Sequence, residues 1–425
     1  SQESVLPMIS IDNQLSAADL ADPITRLWQL SAAKLESLEQ SWDPTDGSPV
    51  FTVDGHYRSQ GWTEWTEGFQ YGSQLLQFDA TDETHFLDLA RQNTVERMAS
   101  HVTHVGVHDH GFNNVSTYGA LRRLMREGRI EDDPWQLNFY ELALKASGAV
   151  QASRWSETAD GDGYIYSFNG PHSLFCDTIR SLRSLAMAHL LGQTLMGEND
   201  ESVSLLGRVI EHARSTAAFN VYYGDGRDAY DVRGRVAHEA VFNVTDGAYR
   251  CSNAQQGYSG FTTWTRGLAW AITGFAELLE YLATLGEAEL EPFGGRPEIV
   301  GFMEEAARAT CDFYLENVAA DGIPYWDTGA PNLRELGEDY LSVPADPFNP
   351  RAHGDQTVGK IADLGFAGGI GQHRLAMGQT GRHENALGRA YGDGGKLNLG
   401  TRTLTPNSAN SERNTRLASS DWKTN

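Results

Sequence analysis

Nine segments in the first 320 residues place apolar side chains at helical spacing, and no other feature of the sequence constrains the fold as strongly. The joins between them carry Gly, Asp, Pro and Asn, and alternating β-type runs are few and short. The predicted helices are residues 16–41, 66–78, 83–101, 115–127, 135–152, 177–191, 199–217, 262–286 and 297–317. We therefore predict an all-α protein built of helical hairpins, not a βαβ protein.

The charge of the chain limits its partners. Its 33 basic and 57 acidic residues give a formal net charge of −24, which disfavours binding to nucleic acid or to anionic membranes. No apolar run approaches the roughly 20 residues of a membrane span. Three cysteines at positions 176, 251 and 311 lack metal-ligand spacing and cannot all pair with one another, so we predict no disulfide scaffold.

The stretch FCDTIRSL places Asp177 at the start of a predicted helix, turned away from its apolar stripe. The stripe comprises Ile179, Leu182, Ala186 and Leu190, and Gly192 is a plausible end of the helix. Aspartate is a favoured N-cap residue, because its carboxylate accepts hydrogen bonds from the first turn. The local sequence leaves two interpretations open, a helix cap and a catalytic acid.

The segment FTTWTRGLAWAITGFAELLEYL, residues 261–282, is predicted to be a helix with two different faces. Arg266 and Trp270 are four residues apart and lie opposite the main apolar stripe. A tryptophan beside an arginine suits a sugar acid, because the ring stacks on the sugar and the guanidinium pairs with its carboxylate. The alternative is an ordinary Arg–Trp pair on the surface.

The segment HVTHVGVHDHGF concentrates four histidines around Asp109. Its HxH spacing suggests a metal, but no second ligand cluster has convincing spacing, so we predict no metal site. The segment is therefore interpreted either as a shaped active-site turn or as a solvated polar loop.

Four stretches, WTEGF, HDHGF, FCDTIRSL and QGYSGFTTWTRGLAW, together resemble the unsaturated glucuronyl hydrolases of glycoside hydrolase family 88, a sister group of family 105. They occur in the family's order over roughly residues 20–320. The resemblance implies an (α/α)6 barrel of the six-hairpin glycosidase type. It also implies a glycoside hydrolase whose substrate is an oligosaccharide ending in a 4,5-unsaturated uronic acid, with no metal or other cofactor.

The resemblance also implies roles for individual residues. Asp177 matches the general acid/base and Asp109 the second essential carboxylate. The matching sugar-binding positions are Trp65, His238, Gln256, Arg266 and Trp270. Such an enzyme protonates C4 of the C4=C5 enol ether and adds water at C5. The acid must carry a proton at working pH, so we expect the pKa of Asp177 to be raised by burial and by the charge of Asp109.

The chain departs from the family pattern at three places. Arg180 and Ser181 follow Asp177 where amide or apolar residues are usual, and Leu268 stands where Gln is common. Beyond about residue 340 the family's closing helices are not recognisable. We predict a barrel domain over residues 1–345 and an atypical Gly-rich, basic tail over 346–425. That tail is interpreted either as a genuine extension or as a departure from the ancestral reading frame.

Other substrates and a non-enzymatic role stay open. A rhamnogalacturonyl or ulvan-type uronyl hydrolase would use the same fold. A non-catalytic carbohydrate-binding protein would keep Trp65 and Trp270 but would need neither aspartate. We expect a monomer or a small homo-oligomer. An acidic chain that does not begin with methionine favours a periplasmic or exported protein over a cytoplasmic one, although a trimmed cytoplasmic chain is also compatible.

Overall fold

The computed structural model describes residues 14–53, 56–59, 64–318 and 324–329, and these residues are predominantly helical. The long helices are α1 (Ala21–Ser41), α2 (Glu67–Thr81), α3 (Thr84–Arg97), α7 (Pro134–Ala152), α10 (Leu205–Phe219), α11 (Thr265–Ala283) and α13 (Arg296–Asn317). The short helices are α4 (Ala99–Val102), α5 (His110–Asn114), α6 (Ala120–Arg126), α8 (Thr178–Ser181), α9 (Arg183–Leu190) and α12 (Glu287–Leu290). A π-helical turn, Val115–Gly119, joins α5 to α6.

All nine predicted helical segments are confirmed, with differences at their ends. The segment predicted over 115–127 begins earlier, at His110, and the one predicted over 199–217 begins later, at Leu205. The segment predicted over 177–191 is divided between α8 and α9. Three members of its predicted stripe are buried, but Leu190 is exposed, because it lies at the last position of α9 where the helix leaves the core.

The described part of the chain also contains nine short strands, which connect the helices. They are β1 (Phe51–Val53), β2 (His56–Arg58), β3 (Trp155–Glu157), β4 (Gly163–Ile165), β5 (Ser173–Phe175), β6 (Leu195–Met196), β7 (Ser202–Val203), β8 (Glu239–Phe242) and β9 (Tyr249–Asn253). All pairings are antiparallel, in three hairpins and one three-stranded sheet of order β5-β8-β9. In that sheet Phe175 pairs with Glu239, so the chain entering α8 lies beside the chain leaving His238.

The core lies between packed helices. Helix α2 packs against α3, α7 against α9, and α11 against α13. Leu182, Val209 and Phe275 are fully buried members of the larger apolar cluster. Burying a side chain of this kind stabilises the fold by about 1.5–3 kcal/mol. The all-α prediction is therefore confirmed, and the strands serve as connections between helices.

Helix α11 is buried on both faces, which agrees with one of the two interpretations that its sequence left open. Leu268 and Phe275 face the main core, whereas Trp270 and Arg266 face a separate aromatic cluster and are also buried. The alternative of a surface Arg–Trp pair is therefore wrong.

Residues 330–425 lie outside the described part of the chain, and so do the predicted domain boundary at 345 and the tail over 346–425. Among the residues that are described, no helix has both the length and the apolar character needed to cross a membrane.

Candidate active site

Two carboxylates from distant parts of the chain approach one imidazole. Nε2 of His108 lies 3.6 Å from Oδ1 of Asp177 and 3.7 Å from Oδ1 of Asp109. All three side chains are buried, Asp177 and Asp109 retaining only 6% and 7% of their exposure. Asp109 precedes α5 and Asp177 precedes α8, so two helix starts meet at this point.

Neither aspartate caps its helix. Asp177 occupies the N-cap position of α8, and Asp109 the N-cap position of α5, yet neither side chain accepts a capping hydrogen bond. Asp133 provides the contrast, because its carboxylate accepts from the backbone of Trp135 and Gln136 at the start of α7. The cap interpretation of Asp177 is therefore wrong, and its carboxylate is directed to His108.

His238 contributes a hydrogen-bond donor to the same site. Its Nδ1 accepts from the backbone N–H of Gln255 at 3.0 Å, so in the neutral ring the proton lies on Nε2. Burial lowers the pKa of His238 to about 4, which keeps the imidazole neutral at pH 7. The charge of Asp177 opposes that shift. His238 is thus an uncharged N–H donor beside Asp177.

Arg266 is held between two indole rings. Its guanidinium carbon lies 4.4 Å from the centroid of Trp264 and 5.0 Å from that of Trp65. Nη2 donates a hydrogen bond to Oε1 of Gln256, which leaves the amide group of Gln256 as a donor. Stacking of this kind fixes the orientation of the guanidinium fork, and a fixed fork suits a carboxylate ligand.

An aromatic cluster forms the floor beside Arg266. Trp270 packs parallel to Phe69, at 6.3 Å between ring centroids, and lies 4.9 Å from Phe112. Trp65 lies at the edge of this cluster and is only partly buried. Trp270 is 2% exposed, so its ring supports the floor and does not offer an open stacking face. The ring available to a sugar is that of Trp65.

A hydrogen-bond hub at Ser181 joins the two aspartate-bearing segments. Oγ of Ser181 donates to the carbonyl of His108 at 2.6 Å and accepts from the backbone N–H of Gly111 at 2.9 Å. Nε2 of Gln151 donates to both that carbonyl, at 2.7 Å, and Ser181 Oγ, at 3.0 Å. A Cβ atom at position 111 would lie 2.1 Å from the Ser181 carbonyl oxygen, so only glycine permits this approach.

We predict that Ser181→Ala lowers the free energy of unfolding by about 1–3 kcal/mol, because it leaves the buried N–H of Gly111 without this acceptor and removes one of the two hydrogen bonds that Gln151 donates. Denaturation by guanidinium chloride measures the change. Ser37→Ala, at an exposed position of α1, is the matched control and should stay within about 0.5 kcal/mol of the parent. Equal effects of the two substitutions would contradict the hub.

The surroundings of the site shift the pKa values of the two carboxyl groups in opposite directions. Burial by itself would raise the pKa of Asp177, but contact with His108 and the charge of Arg266 lower it below its ordinary value. Burial and the charge of Asp177 raise the pKa of Asp109, against the opposing charges of His108 and Arg154. The expectation of a raised pKa at Asp177 is therefore wrong for the substrate-free protein, where the raised pKa belongs to Asp109.

The structure brings the seven predicted site residues to one region. Asp109 and Asp177 contact His108, His238 lies close to Asp177, Gln256 and Trp65 contact Arg266, and Trp270 lies beneath them. Sequence reasoning gave His108 and Phe112 no role beyond membership of the possible active-site turn, left Phe69 open between core packing and an aromatic wall under a ligand, and placed Trp264 on the apolar stripe of the helix predicted over residues 262–286. Their positions in the sequence could have indicated a place in the site, since Phe69 and Phe112 lie within the WTEGF and HDHGF stretches and Trp264 directly precedes α11.

The other histidines of the Asp109 segment have structural partners. His101 contacts Glu67 and Asn113, and His110 contacts Ser147 and the carbonyl of His104. Over the described ranges, no group of three or more His, Cys, Asp or Glu side chains is placed to hold a metal ion.

Comparison with known proteins gives two curated relatives that carry the same name. No protein-family model matches the chain. It is 24% identical over 278 residues to an unsaturated glucuronyl hydrolase of Formosa agariphila, covering 65% of this chain and 59% of the relative. It is also 24% identical over 299 residues to an unsaturated glucuronyl hydrolase of Bacillus sp. strain GL1, covering 68% and 64%. The chain is therefore similar to unsaturated glucuronyl hydrolases. Its matches span about three fifths of the length of these two relatives.

Solved structures of the unsaturated glucuronyl hydrolase family have the same fold. One, described as specific for heparin, has a TM-score of 0.58 with 15% identity and covers 85% of this chain and 82% of its own. The Bacillus sp. GL1 enzyme has a TM-score of 0.56 with 17% identity and covers 86% and 85%. A variant solved with the saccharide dGlcA-Glc-Rha-Glc also scores 0.56, with 18% identity, and covers 88% and 85%. The predicted (α/α) barrel is therefore confirmed.

Proposed function

We propose that this protein removes a 4,5-unsaturated uronic acid from the non-reducing end of lyase-generated oligosaccharides, by hydrating the C4=C5 enol ether. The similarity to unsaturated glucuronyl hydrolases supports the reaction class. The observation that carries the proposal for this chain is the cluster of Asp177, Asp109 and His108 next to an arginine held between two indoles.

The arginine side of the site is suited to the substrate carboxylate. Arg266 supplies a fixed, always charged fork, and the amide of Gln256 and Nε2–H of His238 add neutral donors. Trp65 supplies a partly exposed ring for the sugar face. A uronic acid bound in this way places its C5 carboxylate at Arg266 and its double bond towards Asp177.

Asp177 then acts as acid and as base. Its carboxyl O–H breaks and the proton bonds to C4, while the electrons of the double bond leave a cation at C5 that the ring oxygen stabilises. Water attacks C5 and gives its proton to the Asp177 carboxylate. The C5 hemiketal opens at the ring oxygen, and C1 becomes a hemiacetal that releases the remaining saccharide. General acid–base catalysis of this kind contributes about 10²–10⁴ in rate.

The test is a panel of unsaturated disaccharides made by lyases from chondroitin, hyaluronan, heparin, ulvan and pectin. We expect wild-type protein to abolish the ultraviolet absorbance of the conjugated acid for at least one of them. The preferred disaccharide distinguishes a glucuronyl enzyme from a rhamnogalacturonyl or ulvan-type one.

Two results would contradict the proposal. Tight binding of a disaccharide with no change in absorbance would indicate a carbohydrate-binding protein instead. Hydrolysis of a saturated nitrophenyl glycoside would indicate an ordinary glycosidase, whose two carboxyl groups act at the glycosidic oxygen and need no double bond.

A further inference from the structure

We propose that His108 holds the proton of the two-aspartate cluster in the substrate-free protein and passes it to Asp177 when the anionic sugar binds. This inference rests on the proposed hydration and assigns a catalytic role to a residue to which the sequence analysis gave no role of its own.

The geometry of His108 is that of a shared proton carrier. Its Nε2 is almost equidistant from the two carboxylate oxygens, at 3.6 Å and 3.7 Å. Within the described residues neither ring nitrogen has a hydrogen-bond partner, and the side chain is 1% exposed. Phe168 and Phe175 pack on the ring. A buried histidine normally satisfies its N–H groups, so a ring whose Nε2 lies near two carboxylates without a short hydrogen bond to either requires an explanation.

Two neighbouring histidines show that burial alone does not raise the pKa of an imidazole in this protein. Burial lowers the pKa of His212 to about 3 and that of His238 to about 4, so both are neutral at pH 7. Burial also acts against the charged form of His108, yet Asp109 and Asp177 together raise the pKa of His108 above its ordinary value. Of these three buried histidines, only His108 has a raised pKa.

Charged and titratable groups reach the cluster from several elements. Asp109 and His104 come from its own segment, Arg154 follows α7, and Asp177 precedes α8. His212 lies on α10, His238 precedes β8, and Arg266 lies on α11. Arg154 and Arg266 are the two permanent cations among them, and Arg266 is the one that a substrate carboxylate would neutralise.

Substrate binding moves the favoured position of the proton from His108 to Asp177. In the free protein Asp177 is stabilised as a carboxylate by His108 and Arg266. A bound uronate pairs with Arg266 and places a second negative charge near Asp177, and both effects favour the protonated carboxyl. The N–H bond of His108 then breaks and an O–H bond forms at Oδ1 of Asp177. A shift of less than about 1 Å brings the 3.6 Å separation into the range for proton transfer.

The proton balance closes over one turnover. Asp177 gives its proton to C4 and regains one from the water that attacks C5, so the cluster ends with the same number of protons. When the product leaves, Asp177 returns its proton to Nε2 of His108. No oxidant, metal or other reactant is needed.

The first test is the pH profile of kcat/KM for His108→Gln, with whichever unsaturated disaccharide the wild type consumes. In the wild type, activity falls as His108 loses its proton, at a pH above the ordinary imidazole value. In the variant the proton can be held only by carboxyl groups, so we expect this basic limb to move to lower pH by at least about one unit. The proposal would be overturned if the variant were slower at every pH but lost activity at the same alkaline pH as the wild type.

His85→Gln is the matched control, because His85 is a half-exposed histidine on α3 that contacts Glu36 at 3.6 Å. It should leave the profile unchanged. Thermal melting of both variants shows whether the fold is retained. If the wild type consumes no disaccharide, the proposed function fails instead, and that result is distinct from an unmoved limb.

The second test does not depend on activity. NMR titration of full-length protein with 13C-labelled histidine should give His108 a midpoint above 6.5 in the wild type, assigned with His108→Asn. The midpoint should fall in Asp177→Asn, because the variant removes one of the two negative charges that favour the imidazolium. A wild-type midpoint below 6.5, or one that Asp177→Asn does not change, would overturn the proposal.

Discussion

Asp177→Asn is expected to lower kcat by about 10⁴, with little change in KM, because one group serves as both the acid and the base of the proposed reaction. The substitution is nearly isosteric, and it removes the carboxylate charge together with the ability to give and accept a proton. Following the loss of ultraviolet absorbance with the preferred disaccharide measures the effect.

Asparagine is itself a favoured N-cap residue, so it would preserve any capping role at the start of α8. A loss of activity in this variant cannot therefore be attributed to a lost cap. Asp160→Asn, at an exposed position, is the control and should retain wild-type kcat. Retention of more than a tenth of the wild-type rate by Asp177→Asn would exclude this carboxyl as the proton donor.

Arg266→Ala should produce the second largest effect, a rise in KM of about 10²–10³ that corresponds to the loss of one partner of a buried charge pair. The substitution removes the charge that would pair with the substrate carboxylate and leaves a space between Trp264 and Trp65. Steady-state kinetics separates this effect from the one at Asp177, since kcat should fall much less than kcat/KM.

Arg266→Lys tests the geometry of the guanidinium as well as its charge. Lysine keeps the charge but loses both the planar fork and the stacking between the two indoles, so we expect it to recover only part of the affinity. Arg308→Ala, on the exposed side of α13, is the control for removing one positive charge from an acidic chain. Equal KM values for Arg266→Ala and the wild type would contradict the assignment of the carboxylate site.

The overall charge of −24 does not prevent an anionic substrate from binding. Exposed charges are screened beyond about 8–10 Å in ordinary salt, whereas Arg266 and Arg154 act at short range within a buried site. The distribution of charge inside the site, rather than the total, therefore decides whether a uronate is attracted.

Several features could be predicted from the sequence because they depend on local patterns. Helical periodicity identified the nine helical segments, whereas the sequence of α11 left open whether Arg266 and Trp270 are buried or lie on the surface, and the structure shows that they are buried. The helix ends were less accurate where short polar segments adopt one turn of helix, as at His110 and before Leu205. The described residues end before the predicted domain boundary, so that boundary stays a prediction.

The sequence by itself determined the helical class of this protein and the residue types available for its chemistry, because both depend on side-chain spacing and on local motifs. Only the tertiary structure decided which of the two aspartates has a lowered pKa in the free protein and which histidine lies between them. Those properties depend on burial and on charges brought together from α8, α11 and the His108 segment, which are far apart in the chain.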